Sequence, residues 1–356
     1  MKSNRVTAKD VAILAGVSRT TVSLVLNDVK GIQISPKTRQ KVLTVADELG
    51  YVPDAAAQAL ASRRTKAIGL ILTRSQHHIA SDAFLPKIIS GLLTTTRQRN
   101  IRIMIDWIET EHQERAYFEL ARAKHIDGMI LSTPRLDDKA LRLLENVDIP
   151  TVLMGSLEGS NLPFVDVDNA KAAEQATRYL LELGHREIAF ISNAPPEYTA
   201  SPERVRGYKQ ALASYGISPN ENLIRYGDFD PESGYQKMQS ILESGETFTA
   251  AFVASDNVAI GAKAALREAG LHVPDDISLI GFDDIPWAKY SDPPLTTIKL
   301  PAEALAQSAC ALLMEMTEDN NTHRQNQIIL DTELVERKSC KPLLQTSTPD
   351  NSIERR

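Results

Sequence analysis

The first fifty residues carry apolar positions at spacings of three and four, which predict short helices. Val11, Leu14 and Ala15 share this spacing, and a glycine ends the run. Thr7 and Asp10, three positions apart, resemble a capping box at the start of the segment. The pattern therefore predicts a first helix that begins just after Thr7.

Two further helices are predicted, each preceded by a serine. Ser18 caps the second, which runs to Leu26 and turns that residue, Val22 and Val25 inward. A Ser-Pro pair opens the third, which runs to Leu49 before a glycine. Helix, tight turn, helix is the arrangement that places a second helix in the major groove of DNA.

From Ala67 onward the pattern changes to apolar runs separated by amphipathic helical stretches. The runs are AIGLIL, IRIMID, DGMILS, TVLMG, FVDVD, EIAFIS, AAFVAS and ISLIGFDD. Continuous short runs are typical of parallel strands that are covered on both faces. They predict an α/β protein: a small all-α head and a two-lobed body of two parallel sheets. Ligands of such sheets bind at the carboxyl ends of the strands.

The net charge of −6 hides an asymmetry between the two ends of the chain. Residues 1–66 contain eleven Lys and Arg against five Asp and Glu, which gives +6 for this segment and −12 for the rest. A basic head on an acidic body indicates a polyanionic partner at the N-terminal end.

Other classes of protein find little support in the sequence. No apolar leader and no run of about 18 apolar residues occurs, so we expect a soluble, cytoplasmic protein. Cys310 and Cys340 lack metal-ligand spacing, which suits a reducing compartment. No phosphate-loop, zinc-protease or hydrolase motif occurs, and we interpret His77 and His78 as loop residues near the cleft mouth. We therefore expect no enzyme, no cofactor and no metal.

Two N-terminal motifs resemble those of a known family. VTAKDVAILAGVSRTTVSLVLN (6–27) and ELGYVPDAAAQAL (48–60) are similar to the DNA-binding head and hinge of the lactose/galactose repressor (LacI/GalR) family. RVRGYKQAL, ASDNVAIGAKAALREAG, ISLIGFDD and PPLTTIKL follow in that family's order. The resemblance covers residues 5 to about 341, and it implies a body like that of periplasmic binding proteins.

Pattern and resemblance together predict the domain boundaries. These are 1–52 for the helix-turn-helix head, 53–66 for the hinge helix and linker, 67–340 for the effector-binding and dimerisation body, and 341–356 for a disordered tail. Within the body, the N-lobe takes about 67–166 and 299–327, and the C-lobe takes about 167–298 and 328–340.

Candidate DNA contacts lie mainly on the second helix. Arg19, Thr20, Ser23 and Leu24 project away from its inward face and are available to base edges. The resemblance implies that 19, 20 and 24 are the specificity positions, and Leu24 stands where members often carry arginine. Phosphate contact and helix capping both stay open for a second set: Thr7, Ser18, Thr21, Asn27 and Tyr51.

The segment DAAAQALASRR (54–64) favours a helix but is shorter than the roughly 12–15 residues that an isolated helix needs in water. The resemblance implies that it folds on DNA against the same segment of a second subunit. Small residues such as Ala57 then allow close packing in the minor groove, Leu60 wedges between base pairs, and Arg63 meets a phosphate. Alternatively, Leu60 only fastens the linker to the body.

Candidate effector contacts lie at strand ends. Arg204 and Asp283 match family positions that bind the effector, while Ser255 and Phe229 stand where relatives often have Asn and an aromatic residue. Weaker N-lobe candidates are Ser75, Asp106 and Ser132. Aspartate, arginine and serine with an aromatic wall suit an uncharged polyhydroxylated ligand, a sugar in the first place, with a purine or another metabolite as the alternative.

These observations lead to a hypothesis of a homodimeric repressor on a pseudo-palindromic operator, with a small-molecule effector between the lobes. Induction and co-repression both stay open. The competing hypotheses are a small-molecule receptor whose head is incidental, and a sugar-acting enzyme with a DNA-binding domain.

Overall fold

The computed structural model describes residues 6–27, 32–54, 58–59, 62, 64–108, 113–318 and 327–343. The chain forms two compact units. One comprises Met1–Lys66 with Lys124–Asp127, and the other comprises Ala67–Ala123 with Gly128–Arg356. We call the first the head unit and the second the body.

The head unit contains the three predicted helices, α1 (Ala8–Ala15), α2 (Arg19–Leu26) and α3 (Pro36–Glu48). The predicted capping box is confirmed, because the Thr7 amide and hydroxyl both donate to Asp10 Oδ2, at 2.8 and 2.7 Å. Side-chain oxygens likewise accept amide bonds at the starts of α2 and α3. Local capping chemistry therefore sets where these helices begin.

A small apolar core joins the three helices. Val11 and Ala15 of α1 pack with Val22 and Val25 of α2 and with Val42 of α3, and all five are buried. Leu14, which shares its helical spacing with Val11 and Ala15, is 58% exposed, and Ala12 is buried instead. Helical spacing alone does not say which of two adjacent stripes meets the neighbouring helices.

The described residues of the body form two six-stranded sheets, which confirms the predicted fold class. The N-sheet has the order β11-β5-β4-β3-β1-β2 and the C-sheet the order β12-β10-β9-β8-β6-β7. Neighbouring strands are parallel except for β12, which pairs antiparallel with β10. The strands are β1 (Ala67–Leu72), β2 (Arg102–Trp107), β3 (Gly128–Ser132), β4 (Thr151–Met154), β5 (Phe164–Val167), β6 (Ile188–Ser192), β7 (Ile224–Tyr226), β8 (Ala250–Val253), β9 (Ser278–Asp283), β10 (Thr296–Lys299), β11 (Gln327–Leu330) and β12 (Glu333–Val335).

Helices connect these strands and cover the sheets. They are α4 (Gln76–Ser81), α5 (Leu85–Gln98), α6 (Gln113–Ala123), α7 (Lys139–Leu143), α8 (Asn169–Glu182), α9 (Ala200–Ser214), α10 (Pro231–Glu243), α11 (Asp256–Glu268) and α12 (Ala302–Glu318). In the described part of the chain no helix is long and apolar enough to cross a bilayer.

Within the described residues, the chain passes three times between the N-lobe, built on the N-sheet, and the C-lobe, built on the C-sheet. It enters α8 after β5, α12 after β10, and β12 after β11. The expected crossing near residue 328 falls inside β11, which pairs with β5 through Leu330. The N-lobe therefore extends to Leu330, because strand pairing and not the apolar run sets the boundary.

The segment expected to be a disordered tail begins with residues that are bonded to the C-lobe. The Lys341 amide donates to Ser278 Oγ at 3.0 Å, and the Leu343 amide donates to the Leu183 carbonyl at 2.8 Å. The expectation is wrong for 341–343, because these backbone bonds fasten them to β9 and to the end of α8. Residues 344–356 lie outside the described residues.

Close backbone contact joins α8 and α9 at Gly207. A Cβ atom at this position would lie 2.0 Å from the Ala170 carbonyl oxygen, far inside van der Waals contact. The two helices can therefore approach this closely only because position 207 has no side chain.

We expect Gly207→Ala to lower the free energy of unfolding by about 1–3 kcal/mol, since α8 and α9 must move apart. Urea unfolding followed by circular dichroism measures the change. The control is Arg206→Ala, one residue away and exposed, which should change the value by less than about 0.5 kcal/mol. Equal effects of the two substitutions would contradict the close-contact explanation.

Candidate effector cleft and DNA-binding surface

A cavity lies between the N-lobe and the C-lobe, at the carboxyl ends of the parallel strands. Its walls include residues that follow β1, β3, β4 and β5 on one side and β6, β8 and β9 on the other. The volume of the cavity is about 150 Å³, which is below the roughly 300–1,000 Å³ that are typical of small-molecule sites. Parallel sheets place their ligand sites at these ends.

Arg204 forms the centre of the C-lobe wall. Its Nε donates to Asn169 Oδ1 at 3.0 Å, its Nη1 donates to the Ala254 carbonyl at 2.6 Å, and its guanidinium lies 3.9 Å from the centroid of the Phe282 ring. Burial lowers the pKa of Arg204, whereas the charges of Asp283 and Asp166 raise it. The side chain is held on several sides before any ligand arrives.

Asp283 ends β9 and lines the cavity beside Arg204. Its φ of 113° is a strained conformation for a residue with a side chain. Burial raises the pKa of Asp283 to about 7, while Arg204 and a hydrogen bond from Ser255 act in the opposite direction. The carboxyl group therefore changes its charge near neutral pH.

A second carboxylate, Asp166 of β5, contributes to the N-lobe wall. Its oxygens accept bonds from the amides of Ser156 and Val167, both at 2.8 Å, and from Asn169 Nδ2 at 3.2 Å. Burial raises the pKa of Asp166, whereas the hydrogen bonds from Ser156 and Val167 lower it. Because Asn169 also accepts from Arg204, a buried polar chain joins the two lobes.

Phe229 lines the cavity as predicted, but its ring is largely covered. The edge-to-face ring of Tyr198 lies 4.8 Å away, the Arg74 guanidinium 5.0 Å and the His78 ring 5.5 Å, all between centroids or group centres. The Phe229 backbone has a positive φ of 65°, and its amide donates to the Asn193 carbonyl at 2.8 Å. The ring thus contacts side chains of both lobes.

Five of the seven predicted effector residues line the cavity: Ser132, Arg204, Phe229, Ser255 and Asp283. Ser75 and Asp106 are not among the lining residues. Ser75 Oγ instead accepts the His78 amide at the start of α4, at 3.4 Å, and Asp106 Oδ1 accepts the neighbouring Trp107 amide, at 2.9 Å. Asp106 misses the cavity because β2 is an edge strand, which carries its end away from the lobe junction.

The lobes also contact each other around the cavity. Lys87 Nζ donates to the Asp284 carbonyl at 2.5 Å, and Asn257 Nδ2 donates to the Ser81 carbonyl at 2.8 Å. His77 Nε2 lies 3.0 Å from Asp230 Oδ2, and His78 Nε2 lies 3.2 Å from Asp228 Oδ2.

The two histidines belong to α4, so their expected place in a loop is wrong. Their contacts with carboxylates of the other lobe make them part of the junction. In the described part of the chain, no cluster of His, Cys, Asp or Glu is arranged to hold a metal ion.

Several lining residues were missed by the sequence analysis. They are polar side chains that follow strands or start helices: Arg74, Asp82, Thr133, Asp166, Asn169, Asn193, Tyr198 and Asn257. Thr133 and Asn193 directly follow apolar runs and Arg74 comes one residue later, so the strand-end rule that identified Asp283 also applies to them.

On the head unit, Arg19 and Thr20 are exposed on α2, whereas Ser23 and Leu24 are half-buried. Thr7 and Ser18 act as helix caps, and the Thr21 amide donates to Ser18 Oγ at 3.0 Å. Tyr51 packs against the apolar core of the head. Phosphate contact and helix capping were both possible roles for these residues, and helix capping is observed for Thr7 and Ser18.

Asn27 links α2 to the segment that follows α3. Its Nδ2 donates to Ser23 Oγ at 3.1 Å, and its Oδ1 accepts from Gln58 Nε2 at 3.0 Å. The three predicted hinge contacts, Ala57, Leu60 and Arg63, lie outside the described residues. Their assignment stays a prediction.

Comparison with known proteins agrees with both units. Residues 7–54 match the model for bacterial regulatory proteins of the lacI family, and residues 177–340 match a periplasmic binding protein-like domain. The HTH-type transcriptional regulator CelR of Thermobifida fusca is 33% identical over 341 residues, which are 95% of this chain and 99% of CelR. The chain belongs to the LacI family. It is a DNA-binding transcriptional regulator and not an enzyme.

Other family members are similar over nearly the whole length. The HTH-type transcriptional repressor PurR of Klebsiella pneumoniae is 38% identical, with 94% of this chain and 96% of PurR covered. A crystal structure of the lac repressor dimer bound to operator and the anti-inducer ONPF has a TM-score of 0.82 at 30% identity, covering 95% of this chain and 100% of that one. A complex of CelR with cellobiose has a TM-score of 0.73 at 33% identity, covering 94% and 100%.

Proposed function

We propose that this LacI-family regulator acts in the cytoplasm as a homodimer on a pseudo-palindromic operator, and that a neutral carbohydrate bound in the cleft controls its operator affinity. The observation that carries the effector assignment is the set of hydrogen-bond donors and acceptors around the cavity. Arg74 and Arg204 face three carboxylates there, Asp82, Asp166 and Asp283. Paired donors and acceptors of this kind suit neighbouring hydroxyl groups.

The geometry of Phe229 favours a carbohydrate over a purine, the ligand type that PurR's name suggests for that relative. A flat base gains binding energy from a free aromatic face on which it can stack. Arg74 and His78 lie against the Phe229 ring, and the edge-to-face Tyr198 ring covers another side. Side chains of the protein therefore already pack against the Phe229 ring in this cleft.

The proposed DNA contacts follow from the exposure of α2. Arg19 and Thr20 reach solvent, where a base edge in the major groove can meet them, and half-buried Leu24 adds an apolar contact for a thymine methyl group. Ala57, Leu60 and Arg63 remain our proposed minor-groove and phosphate contacts on sequence grounds. Ser23, Thr21, Asn27, Thr7, Ser18 and Tyr51 complete the proposed surface.

The proposed dimer surface includes the outer face of the N-lobe. Ile105 and Trp107 of edge strand β2 are about half exposed and, two residues apart, share one face. Leu93 on the adjoining α5 is 54% exposed. Exposed apolar groups on an edge strand are unfavourable in a monomer, and a second copy of the chain would cover them.

A titration of operator DNA with and without carbohydrate tests the whole proposal. The effector should change operator affinity by the factor with which it prefers one arrangement of the lobes. A fall indicates an inducer and a rise a co-repressor. If no specific operator complex forms, the proposed operator contacts are rejected. If no sugar changes operator affinity, the proposed effector class is rejected.

We expect Arg19→Ala to remove about 1–3 kcal/mol of preference for the operator, because a bidentate contact to guanine is lost. Fluorescence anisotropy on selected and scrambled duplexes measures this preference. Lys9→Ala, which removes the same charge from exposed Lys9 of α1, is the control and should weaken both duplexes alike. Equal losses on both duplexes for Arg19→Ala would contradict base contact.

Effector affinity should rise between pH 6 and pH 8, by up to about tenfold. Burial raises the pKa of Asp283 to about 7, so the carboxylate that accepts hydroxyl bonds forms across this window. Calorimetry with the tightest sugar of a mono- and disaccharide panel measures the slope. Asp283→Asn should bind weakly with no slope, whereas exposed Asp275→Asn should keep it. A flat wild-type profile would contradict this role.

We expect Trp107→Glu to weaken the dimer, because a charge would be buried in the interface. Light scattering after size exclusion gives the mass in solution. Leu143→Glu, at another exposed apolar position, is the control and should leave the mass unchanged. If the Trp107→Glu protein is still a dimer, the dimer interface lies elsewhere on the chain.

A further inference from the structure

The linker that leads from the DNA-binding head to β1 ends on one carboxylate, that of Asp127. Its Oδ1 accepts a hydrogen bond from the Thr65 amide at 2.6 Å and another from the Thr65 hydroxyl at 2.9 Å. Its Oδ2 accepts a bond from the Lys66 amide at 2.8 Å. Asp127 therefore holds the last two residues before β1 with three bonds.

These bonds supply what the linker residues themselves lack. Lys66 has a φ of 54°, a left-handed conformation that costs energy for a residue with a Cβ atom. Lys66 is also exposed and Thr65 only half-buried, so burial of their side chains contributes little. Bonds from backbone amides to a carboxylate are roughly twice as strong as bonds between neutral groups. We therefore attribute the position of the linker end mainly to Asp127.

Asp127 lies at the amino end of a strand pair whose carboxyl ends reach the cavity. Asp127 directly precedes β3, Lys66 directly precedes β1, and the two strands are parallel neighbours. At the other end of the pair, the Thr73 hydroxyl donates to the carbonyls of Ser132 and Thr133, at 3.0 and 2.8 Å. Side chains thus bond the two strands together at both ends.

The segment that carries Asp127 belongs to the head unit. Lys124–Asp127 groups with Met1–Lys66, although α6 before it and β3 after it belong to the body. The peptide bond between Lys66 and Ala67 is one connection from the linker to the N-sheet. The bonds of Asp127, whose own chain continues into β3, are a second.

We propose that Asp127 is a positioning residue for operator binding, because it fixes the point in each subunit from which the hinge segment starts. This inference rests on the hinge contacts and the dimer proposed above. The hinge segment is too short to be stable as an isolated helix, so it must meet the partner's segment on the DNA. A fixed linker end raises the effective concentration of one segment at the other, whereas a loose end lowers it.

The test compares full-length Asp127→Ala with wild type on two duplexes, an operator that wild type selects from a random pool and a scrambled version. Fluorescence anisotropy gives both affinities. The variant should lose about fivefold or more of its operator affinity and less than about twofold for the scrambled duplex. Non-specific binding should change little, because it depends on the basic charges of the head.

Thr65→Val tests whether the effect passes through this contact, since it removes only the hydroxyl donor. It should lower operator selectivity by a smaller factor and add little in Asp127→Ala protein, because both changes break the same contact. A general loss of stability would instead add in the double variant. Asp127→Asn keeps one acceptor oxygen, should give an intermediate loss of selectivity, and covers a failure of Asp127→Ala to fold.

The matched control is Asp148→Ala, which makes the same change of charge. Asp148 is exposed and lies shortly before β4, the parallel neighbour of β3. This variant should bind both duplexes as wild type does.

Unchanged operator selectivity in both Asp127 variants, or equal losses on the two duplexes, would overturn the inference. If Leu60→Ala weakens operator binding while the Asp127 variants bind as wild type does, the proposed hinge contact stands and only this inference fails. If wild type selects no duplex from the pool, the proposed operator contacts fail and the inference with them.

Discussion

One buried cation, Arg204, organises the body of this regulator. A guanidinium removed from water costs several kcal/mol unless its N–H groups are paired and its charge is balanced. Here Asn169, the Ala254 carbonyl and the Phe282 ring hold it, and Asp283 and Asp166 balance it. Asn169 also bonds Asp166 of the N-sheet, so the groups around this one charge come from both lobes. The arrangement of the cleft depends on that requirement.

The parallel sheets explain why such a cluster forms at this place. Parallel strands bring their carboxyl ends to one edge, and polar side chains that follow the strands collect there. Each sheet alone would leave these groups facing water. Because the chain crosses between the lobes three times, the two edges are held opposite each other, and the polar residues of one face those of the other. A cavity with paired charges is the result.

The sequence predicted structural features that depend on residues close together in the chain. It did not predict features that depend on contacts between residues far apart in the chain. Thr7 with Asp10 and the serine caps were correct, because a cap involves only three or four residues. Leu14 is exposed although it shares its spacing with packed residues, and Asp106 ends an edge strand and is not among the lining residues. Helical spacing does not identify the packed stripe, and a strand-end rule does not reveal which strand lies at the edge. Arg74 was missed although it follows a strand, because its importance comes from contacts with Asp82 and Phe229 that only the fold creates.

The contacts across the cleft also limit how an effector can act. A ligand shifts the balance between two lobe arrangements only through a difference in its affinity for them. A ligand that contacts one lobe binds both arrangements equally and leaves operator affinity unchanged, however tightly it binds. Arg204 and Asp283 already join the lobes through Asn169 and Asp166, so a ligand held by them alone adds little to what the protein supplies. A second contact from the N-lobe makes the binding free energy depend on lobe separation, and this dependence is what a regulator needs.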